Sequence, residues 1–493
     1  MAMRTVSEPH LVRLLGDWQG AQARGGGRDG APAYARLAGA IRALLLDARL
    51  PAGARLPAER RLATVLGMSR TTVATAYRLL REDGYLTSRQ GSGSVTALPP
   101  GRLRRHAPWT PAVSDDVDAL DLALAAPEAC DQVPEAMAAA LDLLPAYLHG
   151  HGYDSYGLPV LREAIAHRYT QRGLATAAEQ IFVTNGAQHA MDLVLRCLIS
   201  PLDPVLIESP TYPNTLDMLT MARARMVAVG MTPAGWDVGL LVSSLRHSLP
   251  RLAYLMPDFH NPAGHLMAAQ DRATLAAAAA AVGTRLVIDE TFAELPLGHE
   301  RGSAQPAPLA AWDPAGQVIT IGSMSKTFWA GLRVGWVRAD PGLVSQLQAT
   351  RGPSDLASPV VEQLAAAWLL ERADTLLPAR RAVLTQRRDA LAAALAEHLP
   401  TWTFRLPEGG LSIWARLGAP VSSVLAQTAE QHHLRLVPGP RFGPGGGLEG
   451  YLRLPFTLPG PELAEAVSRL AAAHGSLGPP GTPPPAVART PVA

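Results

Sequence analysis

Lys326 is the only lysine in a chain of 493 residues, where every other basic side chain except histidine is an arginine. It lies in Gly322-Ser323-Met324-Ser325-Lys326-Thr327. Arginine stays protonated in proteins, whereas a lysine amine loses its proton where its surroundings depress the pKa. The neutral amine then attacks a carbonyl to form a Schiff base. The small hydroxyl residues and glycine around Lys326 suit close approach to a phosphate.

Other chemistry-bearing residues recur at the ends of apolar runs. Ile181–Thr184 leads into Asn185-Gly186-Ala187-Gln188 and a helix through Leu198, whose first amides suit an anion. Pro204–Glu208 precedes Ser209-Pro210-Thr211-Tyr212, and Leu252–Met256 precedes Asp258, His260 and Asn261. Arg285–Ile288 delivers Asp289, and Val318–Ile321 delivers the lysine segment, followed by Gly331-Leu332-Arg333. An aspartate at the end of an apolar strand is costly to bury unless a cation faces it. Together these residues call for one ligand with an aldehyde for Lys326 and a phosphate for Ser323, Ser325, Arg333 and the Gly186 turn. The same ligand needs a cationic aromatic ring for Asp289 and Tyr212. Pyridoxal 5'-phosphate carries all three.

Apolar runs alternating with Ala/Leu-rich helices predict an α/β fold with a central sheet over residues 118–474. The chain is too long for one core, so two or more domains are expected. With 48% hydrophobic and 17% charged residues it reads as globular. No apolar run reaches the ~18 residues of a membrane span, and the first twenty residues lack a signal-peptide pattern. Cys130 and Cys197 are too few for a disulfide framework or a metal site, and read as buried thiols of a cytoplasmic protein.

Charge is unevenly placed. Between Ala33 and Arg105 the arginines far outnumber the acidic residues Asp47, Glu59, Glu82 and Asp83, although the whole chain carries only +2. That asymmetry suits a module that meets a polyanion. Leu37, Ile41, Leu44 and Leu45 have helical spacing within Tyr34–Arg49, and a second helix is predicted over Ala58–Leu66, ending at Gly67. Ser69 caps a third over Arg70–Asp83, and two short strands around Arg89-Gln90-Gly91-Ser92 form a wing. Ser69, Arg70, Thr71 and Thr72 put hydroxyls and a guanidinium at a helix start, suited to phosphates and base edges. Residues 1–30, with Gly25-Gly26-Gly27, read as a flexible segment, 100–117 as a Pro/Arg-rich linker, and 475–493 as a disordered Pro-rich tail.

Leu56-Pro57-Ala58-Glu59-Arg60, Gly67 to Val73 and Arg89 to Ser94 resemble the winged helix of GntR-type bacterial repressors, over about residues 31–99. That resemblance implies DNA contacts from Arg60, Ser69, Arg70, Thr71, Gln90 and Gly91. Ala74 departs from members that carry a DNA-reading arginine there. Residues 118–473 resemble fold-type-I aminotransferases. This implies that Lys326 holds the cofactor and transfers protons, Asp289 keeps the pyridine nitrogen protonated, Tyr212 stacks on the ring and Asn261 bonds its phenolic oxygen. It further implies that Ala187, Gln188, Ser323, Ser325 and Arg333 hold the phosphate, that Arg453 clamps a substrate carboxylate, and that Tyr153 reaches a partner subunit's phosphate, with Tyr156 as its competitor. Phe292 stands where the family usually has a tyrosine. Nearly the whole chain resembles the MocR branch of the GntR family, which implies a homodimeric regulator that binds a double-stranded DNA operator and senses an amine, an amino acid or the cofactor itself. An active aminotransferase with an accessory DNA-binding module is the alternative.

Overall fold

Leu37, Ile41, Leu44 and Leu45 fall on one face of a helix, and all four are buried. The computed structural model describes residues 6–16, 18, 32–46, 49–51, 53–89, 93–97, 118–298 and 305–477. Its first part contains α1 (Glu8–Leu15), α2 (Ala33–Leu46), α3 (Glu59–Leu66) and α4 (Arg70–Glu82), then the antiparallel pair β1 (Leu86–Arg89) and β2 (Gly93–Thr96). Gly67 ends α3 in the left-handed conformation at φ 64°, which glycine adopts without steric cost. Ser69 caps α4 by accepting from Thr72 N at 3.0 Å, and Tyr77 Oη donates to the Pro57 carbonyl at 3.0 Å. The second of these bonds ties α4 to the residues just before α3.

The N-terminal segment departs from its flexible reading. α1 buries Leu11, Leu14 and Leu15 against the winged helix, and Val6 N donates to Arg55 O at 2.8 Å. The glycine run lies at residues 25–27, well past Leu11, Leu14 and Leu15, which form a short helical stripe with an apolar surface to cover. Residues 19–31, the linker over 100–117 and the tail residues from 478 onward lie outside the described residues.

The large domain begins with β3 (Leu120–Asp121), which pairs in parallel with β12 (Leu434–Arg435). Its main sheet has seven strands: β4 (Ile181–Thr184), β5 (Pro204–Ser209), β6 (Arg225–Gly230), β7 (Leu252–Leu255), β8 (Arg285–Asp289), β9 (Val318–Ser323) and β10 (Gly335–Arg338). They lie in the order β4-β10-β9-β8-β7-β5-β6, with β10 antiparallel to both its neighbours and the other pairs parallel. Apolar clusters cover both faces of the sheet, which is why its strands read as nearly continuous apolar runs. A smaller sheet of β11 (Ser412–Arg416), β14 (Tyr451–Pro455) and β13 (Val437–Pro438) packs with the helices Ala373–His398 and Gly460–Gly475 in a separate core. Among the described residues no helix is long and apolar enough to cross a membrane. Cys130 and Cys197 are free and only half-buried.

The two modules touch. Leu448 N donates to the carbonyl of Leu46 at the end of α2. A cleft between them is lined by Trp18, Arg36 and Leu44 on one side and by Trp414, Leu448 and Tyr451 on the other.

Candidate functional site

Parallel strands point their carboxyl ends the same way, so the residues that follow them converge at one edge of the sheet. There a cavity of about 440 Å³ is lined by Ala187, Gln188, Tyr212, Asn261, Asp289, Ser323, Ser325, Lys326, Arg333 and Arg453. Gly186 abuts it. A Cβ on Gly186 would lie 2.7 Å from Arg333 Nη2, so its bare backbone leaves room for that guanidinium.

Each side chain has a local reason for its place. Lys326 lies in a wide helical turn, Ser325–Trp329, directly after β9. Its Nζ donates to the Ala125 carbonyl at 2.8 Å. Burial, reinforced by Arg453, lowers its pKa to about 8, against a smaller opposing pull from Asp289. Asp289 ends β8, accepting from Thr291 N at 2.9 Å and from Tyr254 Oη at 2.7 Å. Ser323 Oγ donates to Ser325 Oγ at 2.9 Å, and Arg333 Nη2 donates to the Asn185 carbonyl at 2.9 Å. That arrangement gathers hydroxyls and a guanidinium at the start of the helix Ala187–Leu198. Arg453 is buried on β14 with Nη2 donating to the Ala123 carbonyl, and burial lowers its pKa to about 10. Burial and the nearby Asp289 push the Tyr212 phenol up to about 12.

Tyr254 escaped the sequence reading. In the parallel ladder it lies opposite Val287, so Asp289, two residues on, shares its face of the sheet. The available signal was a hydroxyl-bearing ring inside an otherwise aliphatic strand. Glu208 was missed as well. It is wholly buried, accepts from Trp236 Nε1 and Met256 N, and lies 3.2 Å from His260 Nε2. Those contacts anchor the segment that carries Asn261.

Tyr153, expected at a partner subunit's phosphate, is 64% exposed and lies outside this chain's own cavity. Tyr156 is half-buried, edge-on to Phe182. Phe292 lines the cavity and supplies no hydroxyl there. On the winged helix, Arg60, Ser69, Arg70 and Thr71 are exposed and Thr72 is half-buried. Gln90 and Gly91 lie outside the described residues.

The cavity fits pyridoxal phosphate. Asn261 Oδ1 and Arg453 Nε are buried without a hydrogen-bond partner, as expected of groups that complete their bonding with a ligand. The donors are also divided by chemistry: an amine, one carboxylate, and a separate hydroxyl–guanidinium cluster.

The lowered amine pKa has a testable consequence. The neutral, reactive fraction of Lys326 rises about tenfold per pH unit below its pKa and levels off above it. Stopped-flow capture of pyridoxal phosphate by the apo-protein is therefore expected to accelerate up to about pH 8 and then flatten. An acceleration that continues past pH 10 would mean an ordinary, hydrated lysine.

Comparison with known proteins agrees with this geometry. Residues 122–470 match the family model described as aminotransferase class I and II, and residues 33–95 match bacterial regulatory proteins of the gntR family. The uncharacterized HTH-type transcriptional regulator YdcR of Escherichia coli is 29% identical over 85% of this chain and 94% of its own. The probable rhizopine catabolism regulatory protein MocR of Rhizobium meliloti is 29% identical over 78% of this chain and 82% of its own. Among solved structures, the α-aminoadipate aminotransferase LysN of Thermus thermophilus, complexed with N-(5'-phosphopyridoxyl)-L-leucine, superposes with a TM-score of 0.66 at 29% identity. That match covers 72% of this chain and 92% of LysN.

Proposed function

Because the chain belongs to the class I and II aminotransferase family and carries a GntR-family domain ahead of it, we propose that it is a MocR-type transcription regulator. In this reading it binds pyridoxal phosphate at Lys326 and changes its hold on DNA when a small amine or amino acid enters the same cavity. It works in the cytoplasm as a homodimer. Leu141, Leu143, Leu148 and Tyr153, close in sequence and exposed, offer an apolar face for the second subunit.

The observation that carries the reading is a small apolar cluster joining the cavity to the DNA-binding module. Val437, a cavity residue, packs with Ala123, Phe442 and Leu448, and Trp414 and Tyr451 lie against them. The Arg453 guanidinium sits 5.0 Å from the Phe442 ring centroid. Phe442 meets Trp414 edge-on at 5.3 Å, and Trp414 stacks on Tyr451. Leu448, in the same cluster, bonds to α2. A ligand drawn onto Arg453 thus acts on packing that supports the winged helix, provided it binds one arrangement better than the other.

The roles proposed for the residues follow from their chemistry. When bound, pyridoxal phosphate supplies a reactive aldehyde and an electron-accepting ring. Lys326 would take the aldehyde and, as a buried amine, exchange protons beside it. Asp289, fixed by Tyr254, would hold a proton on the ring nitrogen. Asn261 would bond the ring oxygen, with no hydroxyl from Phe292 to help it. Ser323, Ser325, Arg333 and the backbone amides of Ala187 and Gln188 would hold the phosphate, and Tyr212 would cover the ring.

The test is operator binding by purified protein, with and without pyridoxal phosphate, against a panel of amines and amino acids. An affinity that responds to an amino acid only when the cofactor is present is the expected result. A response to cofactor alone would make the cofactor itself the signal. Sustained turnover with a keto acid and no effect on DNA would favour a working aminotransferase.

On the DNA side, Arg70 is exposed at the start of α4, free of any ion pair among the described residues. Loss of a bidentate base contact in Arg70→Ala is expected to weaken operator binding by ~1–3 kcal/mol and to relax preference at one base pair. Competition assays with single-base operator variants check both effects.

A further inference from the structure

At about 630 Å³ the cleft between the two modules is larger than the cofactor cavity, at about 440 Å³. The sequence of α2 explains the space. Arg36, Gly39, Ala40 and Ala43 share one face of that helix by their spacing, and this face lines the cleft. The opposite face, with Leu37, Ile41 and Leu45, is buried in the winged helix. A face that packed directly on the large domain would need side chains long enough to close the gap. Gly39, Ala40 and Ala43 are too short, and Ala43 stays exposed.

The walls around this space are aromatic and cationic. Trp414 and Tyr451 of the large domain line it as a stacked pair, their rings inclined by only 6°. Phe404 lies on the same side, and Trp18, just beyond α1, on the other. Arg36 and Arg49 of the winged helix also line the cleft, as do Arg405 and Arg416 of the large domain. Arg405 pairs with Glu408, whereas Arg36, Arg49 and Arg416 have no ionic partner among the described residues. Arg36 Nε is buried without a hydrogen-bond acceptor. Such a buried donor is uncommon, and is expected where an anion completes it. The other polar side chains of the wall are uncharged. Thr232 Oγ1 donates to the Gly235 carbonyl at 3.0 Å, and Thr403 is exposed. His265 is neutral, because burial and the neighbouring Arg405 lower its pKa to about 4.

We propose that this cleft is a second ligand site, distinct from the Lys326 cavity, for a small planar aromatic anion. Its ring lies on the Trp414–Tyr451 pair, and its phosphate or carboxylate meets Arg36 from one module and Arg416 from the other. Planar guanidinium forks suit either anion, and aromatic walls favour a flat ring. The space is of the size that small ligands occupy. Bound there, the molecule ties the winged helix to the large domain. The site goes beyond the regulator reading and does not depend on it, since none of these residues lines the cofactor cavity.

The experiment is isothermal titration calorimetry on full-length protein whose cofactor has been fixed at Lys326 with borohydride, which keeps the titrants out of that cavity. The titrants are adenosine 5'-monophosphate, 2-naphthoate, adenosine and inorganic phosphate. At least one of the two aromatic anions is expected to bind roughly tenfold tighter than adenosine or phosphate, neither of which offers both groups. Which of them binds tells phosphate from carboxylate. Arg36→Gln and Arg416→Gln are each expected to weaken that binding roughly tenfold, the scale of one charged hydrogen bond. Ala43→Phe fills the space from an exposed position and is expected to abolish it. Arg416 is exposed on the large domain, so its variant keeps the test readable if a change in the winged helix prevents folding. Failure of both aromatic anions to bind, or phosphate binding as tightly as they do, would overturn the proposal. So would a response confined to one of the two arginines, since a bridging ligand needs both. Binding that survives Ala43→Phe but is lost in Arg70→Ala would place the ligand on the DNA-reading surface and refute the assignment. Protein that takes up no cofactor would sink the regulator reading alone, and the same titrations on it would still decide this site.

Discussion

Lys326→Ala protein mixed with pyridoxal phosphate is expected to show no visible absorption from a lysine-linked cofactor and no mass adduct after borohydride, whereas the parent shows both. The effect is complete because no other lysine exists in the chain to substitute for it. Lys326→Arg sharpens the test. It keeps a positive charge in the cavity but cannot lose its proton, so it too should fail to capture the aldehyde. An adduct surviving in either variant would place the aldehyde at another amine, such as the N-terminus. The fold should persist, because Lys326 makes one backbone hydrogen bond and its charged form is penalised by burial. The sign of that penalty is checkable. With the native pKa near 8 and the unfolded value near 10.5, the unfolded chain binds the extra proton between those limits. Stability of the parent apo-protein therefore rises with pH across that window relative to Lys326→Ala. A melting-temperature difference between the two that is flat from pH 7 to 10.5 would contradict the buried-amine assignment.

How much of this was legible in the sequence depends on the kind of signal. Parallel strands buried on both faces must be apolar, so Tyr212, Asn261, Asp289 and Lys326 stand out as chemistry at the ends of apolar runs. Their convergence then follows from the sheet's common direction. Glycines and a capping serine likewise mark the limits of α3 and α4. Tyr254 did not stand out, because a tyrosine within a strand reads as packing until the register shows Asp289 on its face. α1 was hidden by neighbouring glycines that say nothing about a three-leucine stripe upstream of them. The cluster around Phe442 was the least legible part. It is built from residues of β11, β13, β14 and the turns near them, whose proximity depends on tertiary packing rather than on any local pattern. The sequence shows two modules with separate chemistry. The path between them belongs to the fold.

That path can be cut without touching either end. Trp414 lies opposite Arg453 across the β11–β14 pair, half-buried, with one ring contact toward Phe442 and another toward Tyr451. Phe442 is a poor choice for the test, because it packs directly on the Arg453 guanidinium and its loss would alter ligand binding itself. Trp414→Leu keeps an apolar side chain on the strand but removes the broad ring that spans from Phe442 to Tyr451. If the cluster carries the coupling, effector affinity measured by cofactor absorption should stay within about threefold. The effector's influence on operator binding, expected at roughly 5- to 150-fold for a coupling of ordinary size, should collapse toward unity. Reciprocity supplies an internal control. In the parent, operator DNA must shift effector affinity by the same factor, and in Trp414→Leu both shifts must vanish together. A variant that keeps the full effector response would show that the signal reaches the DNA-reading helix by another route, such as movement of one subunit against the other. Loss of effector binding together with the DNA response would instead assign Trp414 to the pocket wall, where its place beside Arg453 would be the reason.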